Sequence, residues 1–144
     1  MAEAQETKQQ DTAFTPPVHG SVCWTELATK DLDAAEKFYG PLLGWELKQS
    51  QATGIDGMKY LEFHTGGKAW GGMFQMGPEF GDAPAHWTSY IAVDDVNAAA
   101  LRVPELGGEV CMPPMDIPHV GRFAVIKDPS GATFSLITFA PHAE

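Results

Sequence analysis

Two short runs carry the side chains best suited to chemistry. In SVCWTELATKDL, residues 21–32, strand alternation sets Trp24 and Glu26 on one face, with Cys23, Thr25 and Leu27 on the other. In HWTSYIAV, residues 86–93, the same alternation groups His86, Thr88 and Tyr90. A carboxylate with a phenol nearby can serve as base or acceptor while the phenol donates, so Glu26 and Tyr90 form the candidate catalytic pair. A plainer reading of Glu26 is a solvated carboxylate, or the ion-pair partner of Arg122. Among the histidines, His86 could join Glu26 on a metal, and His119 stands in a proline-rich run, PPMDIPHVGRF, that could close over a site. His64, before Thr65-Gly66-Gly67, reads as a surface residue, and His19 and His142 near the ends carry no signal. No phosphate loop, Ser/His/Asp order or CxxC pair offers another chemistry.

Composition narrows the partners. The 144 residues fit one domain with a real core, and 44% hydrophobic against 19% charged residues is ordinary for a globular chain. A net charge of −10, without a Lys/Arg cluster, argues against nucleic acid and anionic lipid. No apolar run approaches the roughly 18–20 residues of a membrane span, and the polar start MAEAQETKQQDT has no signal core. Cys23 and Cys111 read as free thiols in a reducing compartment, so the cytoplasm is expected. The expected partners are a small molecule and a second copy of the chain in a homodimer.

These residues need elements to hold them. Residues 1–18 read as a flexible tail with Phe14 as its one apolar anchor, and 19–144 as a single domain. A strand over 21–28 leads into DLDAAEKFYGPLLG, where Leu32, Ala35, Phe38, Tyr39 and Leu42 share a helical stripe. Asp31 is its N-cap, Asp33 suits the helix dipole, and Pro41 and Gly44 end it. Strands follow at 45–49, 58–64 and 69–76, with turns at 54–57 and 65–67. A second round has a strand at 86–93, a helix in DDVNAAALRVPELGG, and strands near 109–112, 122–127 and 133–139. Shifted by 64 residues, WTELATKDLDAAEKFYGPLLG (24–44) aligns without a gap on TSYIAVDDVNAAALRVPELGG (88–108), with six of 21 positions identical. The repeat pairs Glu26 with Tyr90 and Trp24 with Thr88. The pattern is βαβββ twice, module one at about 20–77 and module two at about 85–140.

WTELATKDLDAAEKFYGPLLGWEL, YIAVDDVNAAALRVPELGGEV and VGRFAVIKDPSGATFSLI resemble the vicinal oxygen chelate superfamily, which includes glyoxalase I, bleomycin-resistance proteins and extradiol dioxygenases. The resemblance covers about residues 20–140. It implies an α+β fold in which two βαβββ modules form paired, curled mixed sheets around an open cup. It also implies a divalent metal in that cup, acting as a Lewis acid and held by side chains from the first and last strands of each module. Carried over residue by residue, those positions fall on Trp24, Thr88, Ser135 and, less directly, Gly71. None of these is an ordinary ligand for Zn, Ni, Fe or Mn, so no metal and no cofactor is expected.

The expected function is binding of a small organic molecule in a cup lined by Trp24, Glu26, Thr88, Tyr90 and Ser135, with His119 above it. Two alternatives stay open. One is a lyase, isomerase or dioxygenase with a displaced metal site at Glu26, His86 and His119; the other is a dimeric scaffold whose cup is plugged by side chains. The surplus of aromatic and methionine residues (Trp24, Trp70, Met73, Phe74, Met76, Trp87, Tyr90, Met115, Phe123) exceeds what a small core needs and suits a pocket or a dimer surface. Cys23 should point toward the helix side as a small buried hydrophobe.

Overall fold

The computed structural model describes residues 15–50 and 59–140. The start of the expected tail with Phe14, the turn at 54–57 with Met58, and His142 lie outside the described residues. Two strand–helix–three-strand modules follow one another. The first holds β1 (Val22–Thr29), α1 (Leu32–Leu43), β2 (Glu46–Gln49), β3 (Tyr60–Thr65) and β4 (Lys68–Gln75). The second holds β5 (His86–Ala92), α2 (Val96–Arg102), β6 (Glu109–Ile117), β7 (Gly121–Lys127) and β8 (Thr133–Phe139).

The repeated aspartates start both helices in the same way. Asp31 Oδ1 accepts from the Ala34 amide at 3.0 Å, and Asp95 Oδ1 accepts from the Ala98 amide at 3.1 Å. The helix ends diverge. α1 runs through Pro41 to Leu43 and stops at Gly44, whose φ of 73° is the left-handed cap that glycine adopts freely. In the last turn Pro41 removes only one intrahelical bond, so it does not end the helix as the sequence suggested. α2 stops at Arg102, and Pro104 opens a separate 3₁₀ turn, Pro104–Leu106.

The strands form one continuous eight-stranded sheet in the order β2-β3-β4-β1-β5-β8-β7-β6. This corrects the expectation of paired, curled sheets around a cup: the sheet is open, and β2 and β6 are its free edges. The cause lies in the two first strands. β1 pairs in parallel with β4, and β5 with β8, which leaves each first strand one unpaired edge. The two edges satisfy each other's backbone groups by pairing antiparallel. Thr25 and Ser89, partners in the 64-residue repeat, face each other across this seam. The internal two-fold therefore passes between them.

Both helices cover the same face. Leu27, Leu61, Phe63 and Met73 pack under Leu32 and Ala35 of α1, with Tyr39, Trp45 and Leu47 around them. Ala124, Ile126 and Leu136 pack under Val96 of α2. Trp87 belongs to this side too, with its ring centroid 5.5 Å from Tyr39 and 6.1 Å from Phe63. Cys23 is half-buried here, its thiol 3.5 Å from the Tyr90 carbonyl, and so is less enclosed than expected.

Candidate functional site

The opposite face, which neither α1 nor α2 covers and on which the short 3₁₀ turn Pro78–Phe80 lays Phe80 against Phe74, carries the expected site residues at the β1/β5 seam. Register places Trp24 across from Tyr90 and Glu26 across from Thr88. Tyr90 then pairs with Ser135 on β8, which is almost fully buried. On the other flank Glu26 lies beside Gly72 of β4, and Gly72 beside Glu62 of β3.

Glu26 is the centre of a hydrogen-bonded cluster. Tyr60 Oη donates to its Oε2 at 2.8 Å, and Tyr90 Oη donates to its Oε1 at 2.9 Å. Trp24 Nε1 donates to Tyr60 Oη at 2.9 Å, and Ser135 stands in register beside Tyr90. Burial pushes the Glu26 carboxyl above its ordinary range, while the two phenols and the field of His86 pull the other way. Burial and the neighbouring carboxylate push both tyrosines upward, so each remains a neutral donor.

Tyr60 was missed by sequence reasoning. It stands two residue positions along β3 from the Glu26 row, opposite Phe74, and its ring stacks with Phe74 at 6.4 Å between centroids. From there it leans over Gly72, where any β-carbon would overlap its Cε1, Cζ and Oη. The only hint in the sequence was the Gly71-Gly72 pair, which marks a place of close approach. Register also corrects the repeat arithmetic. Ser135 pairs with Tyr90, and the equivalent neighbour of Glu26 is Gly72, not Gly71. The intervening turns differ by one residue.

Other sequence expectations part company here. His119 is exposed, with a φ of 68°, in the turn between β6 and β7. That hairpin closes where Gly121 pairs with Phe139, four residues beyond Ser135 on β8, so His119 does not join Glu26. The start of the proline-rich run belongs to edge strand β6, where Pro113 and Pro114 fall in a register shift against β7. Arg122 bonds Asp116 at 2.8 Å and Asn97 at 3.0 Å and is not the partner of Glu26. His86 shares the Glu26 face, opposite Ala28, but its Nδ1 contacts the Pro84 carbonyl at 2.8 Å. His64, expected at the surface, is half-buried beside Glu62 at 3.2 Å.

The metal expected of the resemblance does not suit this donor set. Trp24, Thr88, Ser135 and Gly72 stand where the resemblance implies ligands, and Glu26 beside them already accepts from two phenols. Among the described residues, no three His, Cys, Asp or Glu side chains lie close enough to hold a metal ion. A groove of about 440 Å³ between α2 and β6, lined by Asn97, Leu101, Pro104 and Pro114, lies away from this chemistry.

Comparison with known proteins adds family context. The sequence model of the glyoxalase/bleomycin resistance protein/dioxygenase superfamily matches residues 21–136. The Mycobacterium tuberculosis protein CFP32, whose name carries the word glyoxylase, is 41% identical over 122 residues, 85% of this chain and 45% of that one. The anthracycline biosynthesis protein DnrV of Streptomyces peucetius is 35% identical over 137 residues, 87% of this chain and 48% of that one. The chain thus spans about half the length of these curated relatives. Among solved structures, a methylmalonyl-CoA epimerase from Streptomyces coelicolor superposes with a TM-score of 0.63 at 19% identity, covering 85% of this chain and 99% of that one. A Mn(II)-bound glyoxalase from Novosphingobium aromaticivorans superposes at 0.57 and 21% identity, over 90% and 42% of the two chains. At these identities the superpositions establish the fold.

Proposed function

The chain belongs to the glyoxalase/bleomycin resistance protein/dioxygenase superfamily, and on that premise we propose that it binds a small organic molecule at the β1/β5 seam, on the face opposite α1 and α2. The observation that carries the reading is the convergence of Tyr60 and Tyr90 on one carboxylate, Glu26, with Trp24 bonded to Tyr60. Aromatic rings around a single acceptor suit a ligand with an apolar body and one hydrogen-bond donor or positive charge. Glu26 meets that donor, and Thr88, half-buried beside it, supplies a second polar contact. With its proton affinity raised by burial, Glu26 is also suited to take up a proton from the ligand. The superfamily's metal has no part in this reading, because the donor set does not fit it.

A panel of small aromatic amines, alcohols and amides tests the proposal by thermal shift. Anthracyclines belong in the panel because a relative is named for their biosynthesis. At least one compound should raise the melting temperature of the wild-type protein and lose that effect on E26Q. No shift from any compound, or an undiminished shift on E26Q, would overturn it. A homodimer in the cytoplasm completes the reading, supported by exposed Phe38, Leu42 and Leu43 on α1 and by two free cysteines.

A further inference from the structure

The hydrogen bonds reaching Glu26 have a fixed direction. An indole N–H donates and never accepts, so Tyr60 Oη at 2.9 Å from Trp24 Nε1 must be the acceptor of that bond. Its own hydroxyl proton is then directed to Glu26 Oε2, 2.8 Å away. A phenol that is itself receiving a hydrogen bond is a stronger donor, so the two bonds reinforce each other. The Tyr60 ring is held in place over Gly72, the gap left by the missing side chain of β4.

We propose that Trp24 and Tyr60 form a positioning relay for Glu26, in which Trp24 commits the Tyr60 proton to the carboxylate and thereby favours its charged form. Trp24 occupies the first-strand position at which the superfamily resemblance places a metal ligand. Here that position serves the site by hydrogen bonding, through a second residue, to a carboxylate. The relay accounts for two features that ligand binding alone leaves unexplained: a glycine at position 72, and a tryptophan whose N–H is spent on a tyrosine. The other titratable groups on this face of β2, β3 and β5 are His86 and Tyr90, Glu62 with His64 bonded to it, and, further out, Lys48 opposite Glu62 and Glu46 opposite His64. β4 presents Gly72 and Phe74 there and β8 presents Ser135, none of them charged. All of these stay constant in the test.

The test is an NMR titration of the Glu26 side-chain carboxyl in protein labelled with ¹³C-glutamate, the signal assigned by its loss in E26Q. Y60F should raise the Glu26 midpoint by about one pH unit, a tenfold gain in proton affinity. W24F should raise it by less, in the same direction. In the Y60F background, W24F should produce no further change, because its route to Glu26 is already cut. If W24F does not fold, benzothienylalanine at position 24 keeps the ring shape and deletes the N–H. An unchanged midpoint on loss of the Trp24 N–H, or an equal change with and without the Tyr60 hydroxyl, would overturn the relay. The titration involves no ligand, so its outcome is separate from that of the thermal-shift panel.

Discussion

At the scale of single residues, Glu26 governs how this protein responds to pH. Its folded-state carboxyl is raised above the ordinary value of 4.5, first by burial, with the Tyr60 and Tyr90 hydrogen bonds opposing. A raised value means that the native state keeps a proton which the unfolded chain has already released. The stabilising contribution of Glu26 is therefore complete below its ordinary range and is lost as pH rises through the folded-state value. Urea unfolding from pH 4 to 9 should show the wild-type protein losing stability relative to E26Q as pH increases. A difference independent of pH would mean that Glu26 titrates as an exposed carboxylate does. Of this cluster, Trp24, Glu26, Thr88 and Tyr90 were accessible from alternation and the repeat. Tyr60 was not, because its side chain reaches Glu26 diagonally across an intervening strand.

Elements decide how firmly those residues are held. Gly72 leaves room for the Tyr60 ring, so G72A should displace the ring from β4 without altering the phenol itself. The expected cost is about 1–3 kcal/mol of stability, as for overpacking elsewhere, with a rise in the Glu26 midpoint like that of Y60F. A G72A protein with unchanged stability and midpoint would show that the ring can shift without loss. The caps provide an independent measure. D31A and D95A should each cost about 1 kcal/mol, read as a lower urea midpoint, because each aspartate satisfies an otherwise unpaired helix amide. These caps were legible because capping depends on a few consecutive residues. The course of β6 was not: Pro113 and Pro114 looked like a loop, and only its place at the sheet edge makes them compatible with a strand.

At the scale of the molecule, the antiparallel β1/β5 seam couples the two modules. Glu26 and Tyr90 come from different modules and meet at 2.9 Å across that seam, so the site exists only when the modules are joined. L32A, in the α1 core, should lower stability by about 2–5 kcal/mol. V96A, in the α2 core, should lower it as well. Each should shift one common urea transition, followed by tryptophan fluorescence and by circular dichroism alike. Two separable transitions would mean that the seam leaves the modules independent. Light scattering on the purified chain tests the homodimer; a monomer at all accessible concentrations would remove it.

The sequence alone determined the local order: strand, capped helix, three strands, and the same again after 64 residues. Its motifs also carried the family resemblance, which implied ligand positions at Trp24, Thr88 and Ser135, none of them an ordinary metal ligand. Tertiary structure decided how the modules meet. Pairing of the two free strand edges makes one open sheet where two curled ones were expected, because unpaired backbone groups in each first strand find their partners in the other. It also decided that Gly72 lies beside Glu26, that Tyr60 fills the space above it, and that His119 stands apart. Those relations depend on register between strands distant in sequence. A shift of one residue would reverse every face, and no local pattern encodes it.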